Sequence, residues 1–213
     1  YREVHQKAAV LYRKQARFQL ITTGKISQKC LLFENQHIER LRKASRYFAF
    51  PFDSENLKQK IEEECQACDA NQDYRLRISL DKSGEIELSR QVLTPLSPSF
   101  CQAKLYLQET NLQQAFTYFK TTYRPHLNLG KQEIIYHNKS GELLETSIGN
   151  LVLKIAGKLY TPPIELGILP GIYRQHLLET GQVEEKVLTL ADLAQAEAVY
   201  GCNAVRGLYE LSL

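Results

Sequence analysis

The sequence lacks several features that would settle a function at once. No apolar run approaches the roughly 18 residues of a membrane span, and no stretch has the charged, apolar and small-residue order of a secretory leader. No P-loop, GxGxxG or GxSxG is present, so nucleotide binding and serine-based hydrolysis have no local support. The five histidines (5, 37, 126, 137, 176) never pair at metal spacing, and methionine is missing altogether. Cysteine is scarce and odd in number: with five, at least one thiol stays unpaired in a monomer, which points to a reducing, cytoplasmic compartment. Cys65 and Cys68 form a CxxC without a second ligand pair for zinc. They stand near the end of a helical pattern rather than at its start, so they read as buried helix-face thiols rather than a redox pair. Net charge is only +3, from 27 basic and 24 acidic residues, too mild to argue for nucleic acid.

What remains is a soluble-type balance, 43% hydrophobic and 24% charged over 213 residues. Residues 1–17 read as a basic helical extension with Arg2, Lys7, Arg13, Lys14 and Arg17. A first strand is expected over 17–26, helices over 37–50 and 54–68, and a hairpin over 74–90 around the turn DKSG. TPLSPS (94–99) is the best linker candidate. Strands are expected at 116–124, 133–137 and 145–155, with helices at 169–181 and 191–198 and a closing strand. Strands and helices mixed in two blocks give an α/β or α+β protein.

Two residues stand out chemically. Glu145 opens an otherwise apolar strand, ETSIGNLVLKI, and a carboxylate carried into a core needs a partner that wants negative charge. Lys120 shares a strand face with Phe116 and Tyr118, where lost hydration would favour the neutral, nucleophilic amine. LPGIYR (169–174) offers backbone N–H groups at a helix start, a ready place for phosphate.

Taken in order, these pieces resemble the signature of the class IV aminotransferases. Glu145, Ser147, Asn150, Thr161, Gly171, Ile172 and Arg174 fall in register with it, and Val152 departs where the family usually has an aromatic. HIERL (37–41), FKTTYR (119–124) and CNAVRG (202–207) are similar to further landmarks, the last two to the branch holding aminodeoxychorismate lyase. The resemblance implies a two-domain D-amino-acid aminotransferase-like fold (fold type IV) using pyridoxal 5'-phosphate. Its domains would be a small N-terminal α/β domain with linker over 18–109 and a larger C-terminal one over 110–213 carrying the lysine.

By the same resemblance Lys120 would form the Schiff base with the cofactor, and Glu145 would face its ring nitrogen. Arg40 would bind the phosphate. Gly149, Asn150, Ile172, Tyr173, Asn203 and Ala204 would complete the cofactor cup, Tyr173 standing where transaminases often have threonine. Arg124 and Arg206 are candidates for substrate carboxylates, since a guanidinium fork suits them bidentately. No metal is expected. The implied activity is elimination of pyruvate from 4-amino-4-deoxychorismate to give 4-aminobenzoate for folate. The alternatives are transamination of a D- or branched-chain amino acid, or a non-catalytic scaffold. A homodimer is implied, with a para-aminobenzoate synthase component as a further partner, and neither nucleic acid nor membrane. Thr22, where relatives often carry glutamate, and the short stretch between Lys120 and Glu145 are departures that would alter the substrate-side walls.

Overall fold

Alternation between apolar and polar residues builds the first part of the chain into a sheet. A computed structural model describes residues 17–109, 115–127 and 130–213; the expected basic helix falls on residues outside these. Strand β1 (Leu20–Ser27) pairs antiparallel with β3 (Tyr74–Leu80), from Leu20 opposite Leu80 to Ile26 opposite Tyr74. The short β2 (Cys30–Leu31) and β4 (Ile86–Val92) complete the order β2-β1-β3-β4. The β3–β4 turn forms where DKSG predicts it. The Asp81 carboxylate accepts from the Ser83 and Glu85 N–H groups at 2.8 and 3.0 Å, and Gly84 takes the left-handed φ of +94°.

The period of two puts Leu20, Leu76, Ile78 and Leu80 on one buried face. Helices α1 (Glu34–Phe48) and α2 (Ser54–Gln66) supply Leu41, Phe48, Leu57 and Ile61, all inaccessible to water. Asp53 caps α2 by accepting from the Glu55 and Asn56 N–H groups. Cys65 and Cys68 are buried as expected, and burial pushes the Cys65 thiol up to about 11.

The chain divides into two compact units. The first runs to Thr94 and takes in Phe119–Arg124; the second holds Pro95–Tyr118 and Pro125–Leu213. The sequence reading breaks the chain at 109 instead and places Lys120 in the C-terminal domain. The segment around Lys120 joins the first unit because its backbone extends the free edge of β1. Ile21 N–H donates to the Lys120 carbonyl at 2.9 Å and Thr122 N–H to Gln19 O at 2.9 Å. The expected strand over 116–124 is therefore corrected: Ala115–Tyr118 is a one-turn helix (α4), and Thr121 makes only an isolated bridge to Leu20.

In the second unit a short helix α3 (Pro98–Cys101) follows the linker, and β5 (Lys104–Leu107) runs parallel to β6 (Ile134–His137). The stretch expected as one strand over 145–155 is two, β7 (Leu143–Thr146) and β8 (Asn150–Ile155). A tight turn at Ser147, Ile148 and Gly149 separates them, closed by Thr146 N–H to Gly149 O at 2.9 Å and by Gly149 N–H to Thr146 Oγ1 at 3.0 Å. Strand β9 (Lys158–Thr161) pairs with β8, and β10 (Glu184–Glu185) with β9. Helices α5 (Ile172–Glu179) and α6 (Leu190–Gln195) lie near their expected places. Strand β11 (Ala198–Asn203) joins β8 and turns into β12 (Gly207–Leu211). Ile135, Leu143, Leu151, Leu153 and Leu188 form the core of this sheet. No helix among the described residues is long and apolar enough to cross a membrane.

Candidate active site

In the first unit the candidate residues Arg40, Lys120 and Arg124 form one electrostatic cluster. Lys120 is held through its carbonyl by β1, and burial pushes its amine well below the usual lysine range, helped by the guanidiniums of Arg40, Arg124, Arg75 and Arg77. The flanking aromatics expected to strip its hydration sit instead on α4, in the second unit. Arg40 is pulled down to about 10 by burial and by Arg124. Like charges held this close favour an anion among them.

Arg75 and Arg77 belong to no motif, and only the alternation along β3 places them. They stand opposite Lys25 and Thr23 of β1, on the sheet face away from Leu76 and Ile78. His37, one turn before Arg40, is fixed by Thr22 Oγ1 at 2.6 Å from its Nδ1. Burial, then Arg40 and Lys120, push its imidazole down to about 3, so it is neutral. Its buried Nε2 has no hydrogen-bond partner and lies where a Cβ on Gly24 would come within 2.5 Å. Thr22 thus takes a structural part as the hydroxyl that orients His37.

In the second unit three loops are tied together. Asn150 Nδ2 donates to Leu169 O at 2.8 Å, joining β8 to the entry of α5. Gly171, which opens that helix without a side-chain cap, lies so close that any Cβ there would collide with Asn150 Oδ1. Asn203 Nδ2 donates to Ile148 O at 3.2 Å, and its Oδ1 accepts from the Val205 and Arg206 N–H groups, which shapes the turn containing Ala204. Tyr173 packs its hydroxyl end beside Gly207. Gly149, Asn150, Ile172, Tyr173, Asn203 and Ala204 thereby fall into one neighbourhood, which includes the N-terminal turn of α5, where Gly171 provides no side-chain cap.

Glu145 is buried on β7, opposite Asn150 across the hairpin. Its Oε2 accepts from the Leu169 N–H at 3.3 Å, and its Oε1 is 3.9 Å from Nε2 of the buried His126, a neighbour that no spacing in the sequence announces. Arg206 is lowered by partial burial, with Tyr209 and Cys101 acting in the opposite direction. Two signature residues have structural work. Thr161 Oγ1 donates to Leu151 O at 2.7 Å, and the buried Arg174 bonds Pro162 O at 2.8 Å and pairs with Glu185, fastening α5 to β9 and β10. No cluster of potential metal ligands occurs among the described residues.

Comparison with known proteins bears on the family and the fold. The chain is 24% identical to the aminodeoxychorismate lyase of Saccharomyces cerevisiae, covering 85% of this chain and 67% of that protein. Its fold matches a fold IV transaminase of Curtobacterium pusillum at TM-score 0.75, with 16% identity over 91% of this chain and 78% of that one. It also matches a hypothetical aminotransferase of Mycobacterium tuberculosis in its PLP-bound form at TM-score 0.76, with 18% identity over 96% and 83%. A sequence profile of the amino-transferase class IV family matches residues 19–212, nearly the whole of the chain, which therefore belongs to that family.

Proposed function

We propose that this chain is a pyridoxal 5'-phosphate enzyme that eliminates pyruvate from 4-amino-4-deoxychorismate to give 4-aminobenzoate. The observation that carries the reading is the density of positive charge around Lys120. One phosphate would engage Arg40, while Arg124, Arg75 and Arg77 exceed what one phosphate needs and suit a substrate with two carboxylates. The name of the yeast relative supports the same choice.

The residues present fit the cofactor. Burial and neighbouring cations shift the Lys120 amine toward its neutral, nucleophilic form. Gly171 and Gly149 let Asn150, Cys202 and Tyr209 pack against their backbone, which holds the β7–β8 turn and the entry of α5 in place for the ring and phosphate. When bound, the cofactor supplies an electron sink for charge developing at the amine-bearing carbon. Lys120 would hold it and then take the proton from that carbon. Glu145 would keep a proton on the ring nitrogen, and Arg40 with the N–H groups of Ile172 and Tyr173 would bind phosphate. Arg124 would orient the substrate carboxylates, leaving the carbon–oxygen bond to the enolpyruvyl group to break with release of pyruvate. Arg206, Asn203 and Ala204 would border the cup. The same resemblance extends the proposal to a homodimer, tested by light scattering.

Aminotransfer is the second reading, favoured by the names of the structural neighbours. The deciding experiment supplies aminodeoxychorismate to the purified protein loaded with cofactor. Pyruvate released without any keto acid supports the lyase; strict dependence on a keto acid overturns it. Lys120→Ala should abolish turnover in either case, and retained turnover would remove Lys120 from its role.

A further inference from the structure

Glu133, immediately before β6, is a carboxylate with no exposure to water. A buried charge of this kind needs hydrogen-bond donors. Ser147 Oγ donates to its Oε1, Tyr209 OH to its Oε2 at 2.8 Å, and Ile134 N–H to Oε1 at 3.3 Å. The donors come from the β7–β8 turn, from β12 and from the start of β6. Two glycines make the room. A Cβ on Gly149 would lie 2.5 Å from Cys202 O and 3.0 Å from the Tyr209 hydroxyl, and one on Gly201 would lie 2.5 Å from that same hydroxyl. The Tyr209 ring therefore fills space that two absent side chains leave. Burial and the charge of Glu133 push the phenol well above its ordinary value, which keeps it protonated as a donor.

The position of this network gives it consequence. Ser147 follows Glu145 by two residues, Gly149 immediately precedes Asn150, and Glu145 faces Asn150 across the hairpin. The turn between them cannot shift without breaking bonds to a buried carboxylate. We propose that Glu133, with Ser147 and Tyr209, is a positioning device that fixes Glu145 and Asn150 at the ring end of the cofactor site. This rests on the cofactor reading above and adds three residues to it.

The test titrates the full chain with pyridoxal 5'-phosphate and follows absorbance, for the wild type, Tyr209→Phe and Ser147→Ala, each with and without Glu145→Gln. Tyr209→Phe keeps the ring and should keep the fold by circular dichroism, but should raise the cofactor Kd about tenfold, since it withdraws a donor from a buried charge. In the Glu145→Gln background the same change should matter less than about twofold, because the group being positioned has already lost its charge. Equal effects in both backgrounds would reduce the network to general stability and overturn the proposal, as would a Tyr209→Phe protein that binds like the wild type. If Tyr209→Phe fails to fold, Ser147→Ala removes a different donor and is judged by the same comparison. A wild type that takes up no cofactor overturns the cofactor reading together with the device. A wild type that colours normally while the variants match it overturns the device alone.

Discussion

His37 illustrates how much one buried imidazole can report. In the folded protein it is held neutral, with its imidazole pushed down to about 3 by burial, Arg40 and Lys120; unfolded, it would titrate near 6.5. Between those values the unfolded chain binds a proton that the folded chain does not, so stability must fall as pH falls. The slope expected from this group is about 1.4 kcal/mol per pH unit below about pH 6.5. Urea denaturation across pH 4–7 in a buffer free of phosphate measures it, and His37→Gln should flatten the slope in that window. An unchanged slope would mean that His37 gains its proton inside the fold. Residues of this kind were only half legible in the sequence. Lys120, Glu145 and Arg40 stand out in the sequence because a motif surrounds each of them. His126, Glu133, Arg75 and Arg77 lie outside it, and what matters about them is a spatial neighbour that spacing along the chain does not encode.

At the scale of the element, local patterning revealed most of what formed. The hairpin over 74–92 was visible because alternation brackets a turn whose Asp81 and Gly84 have specific jobs. The stretch from Glu145 to Ile155 misled because Ile148 sustains an apolar rhythm through what is a turn; the side chain of Ile148 is exposed there. The lysine segment misled for the opposite reason. Its strand-like composition meets β1 in a single bridge, and tertiary bonding to the sheet edge decided its course. The entry of α5 carries a prediction at this scale. At Gly171 the helix start approaches Asn150 so closely that a Cβ would collide with its Oδ1, and Asn150 is held by Leu169 O, so neither side can yield cheaply. Gly171→Ala should destabilise the protein by about 1–3 kcal/mol as an overpacked site. It should also weaken cofactor binding, because the displaced element carries the N–H groups proposed to meet the phosphate. Thermal denaturation and an absorbance titration check the two parts separately; a variant with wild-type Tm and wild-type binding would show that the helix entry has slack.

For the molecule as a whole, the charge distribution matters more than the net charge of +3. The first unit gathers Arg40, Arg75, Arg77, Arg124 and Lys120, and burial first, then neighbouring cations, lowers both Lys120 and Arg40. Such an array is tolerated in a folded protein when function requires an anion there, and it costs stability whenever the anion is missing. An anion that binds the native state alone must stabilise it by mass action, about 2.7 kcal/mol at a hundred times its Kd. In a chain of this size each kcal/mol moves the midpoint by about 2–4 °C. Pyridoxal 5'-phosphate should therefore raise Tm by several degrees, and inorganic phosphate by less. Chloride at matched ionic strength should do little, because screening acts weakly on buried charges. Arg40→Gln should remove most of the gain from both phosphates while leaving the chloride curve nearly where it was. Equal stabilisation by chloride and phosphate would show that the array responds to ionic strength alone, and the phosphate role of Arg40 would then have to be abandoned.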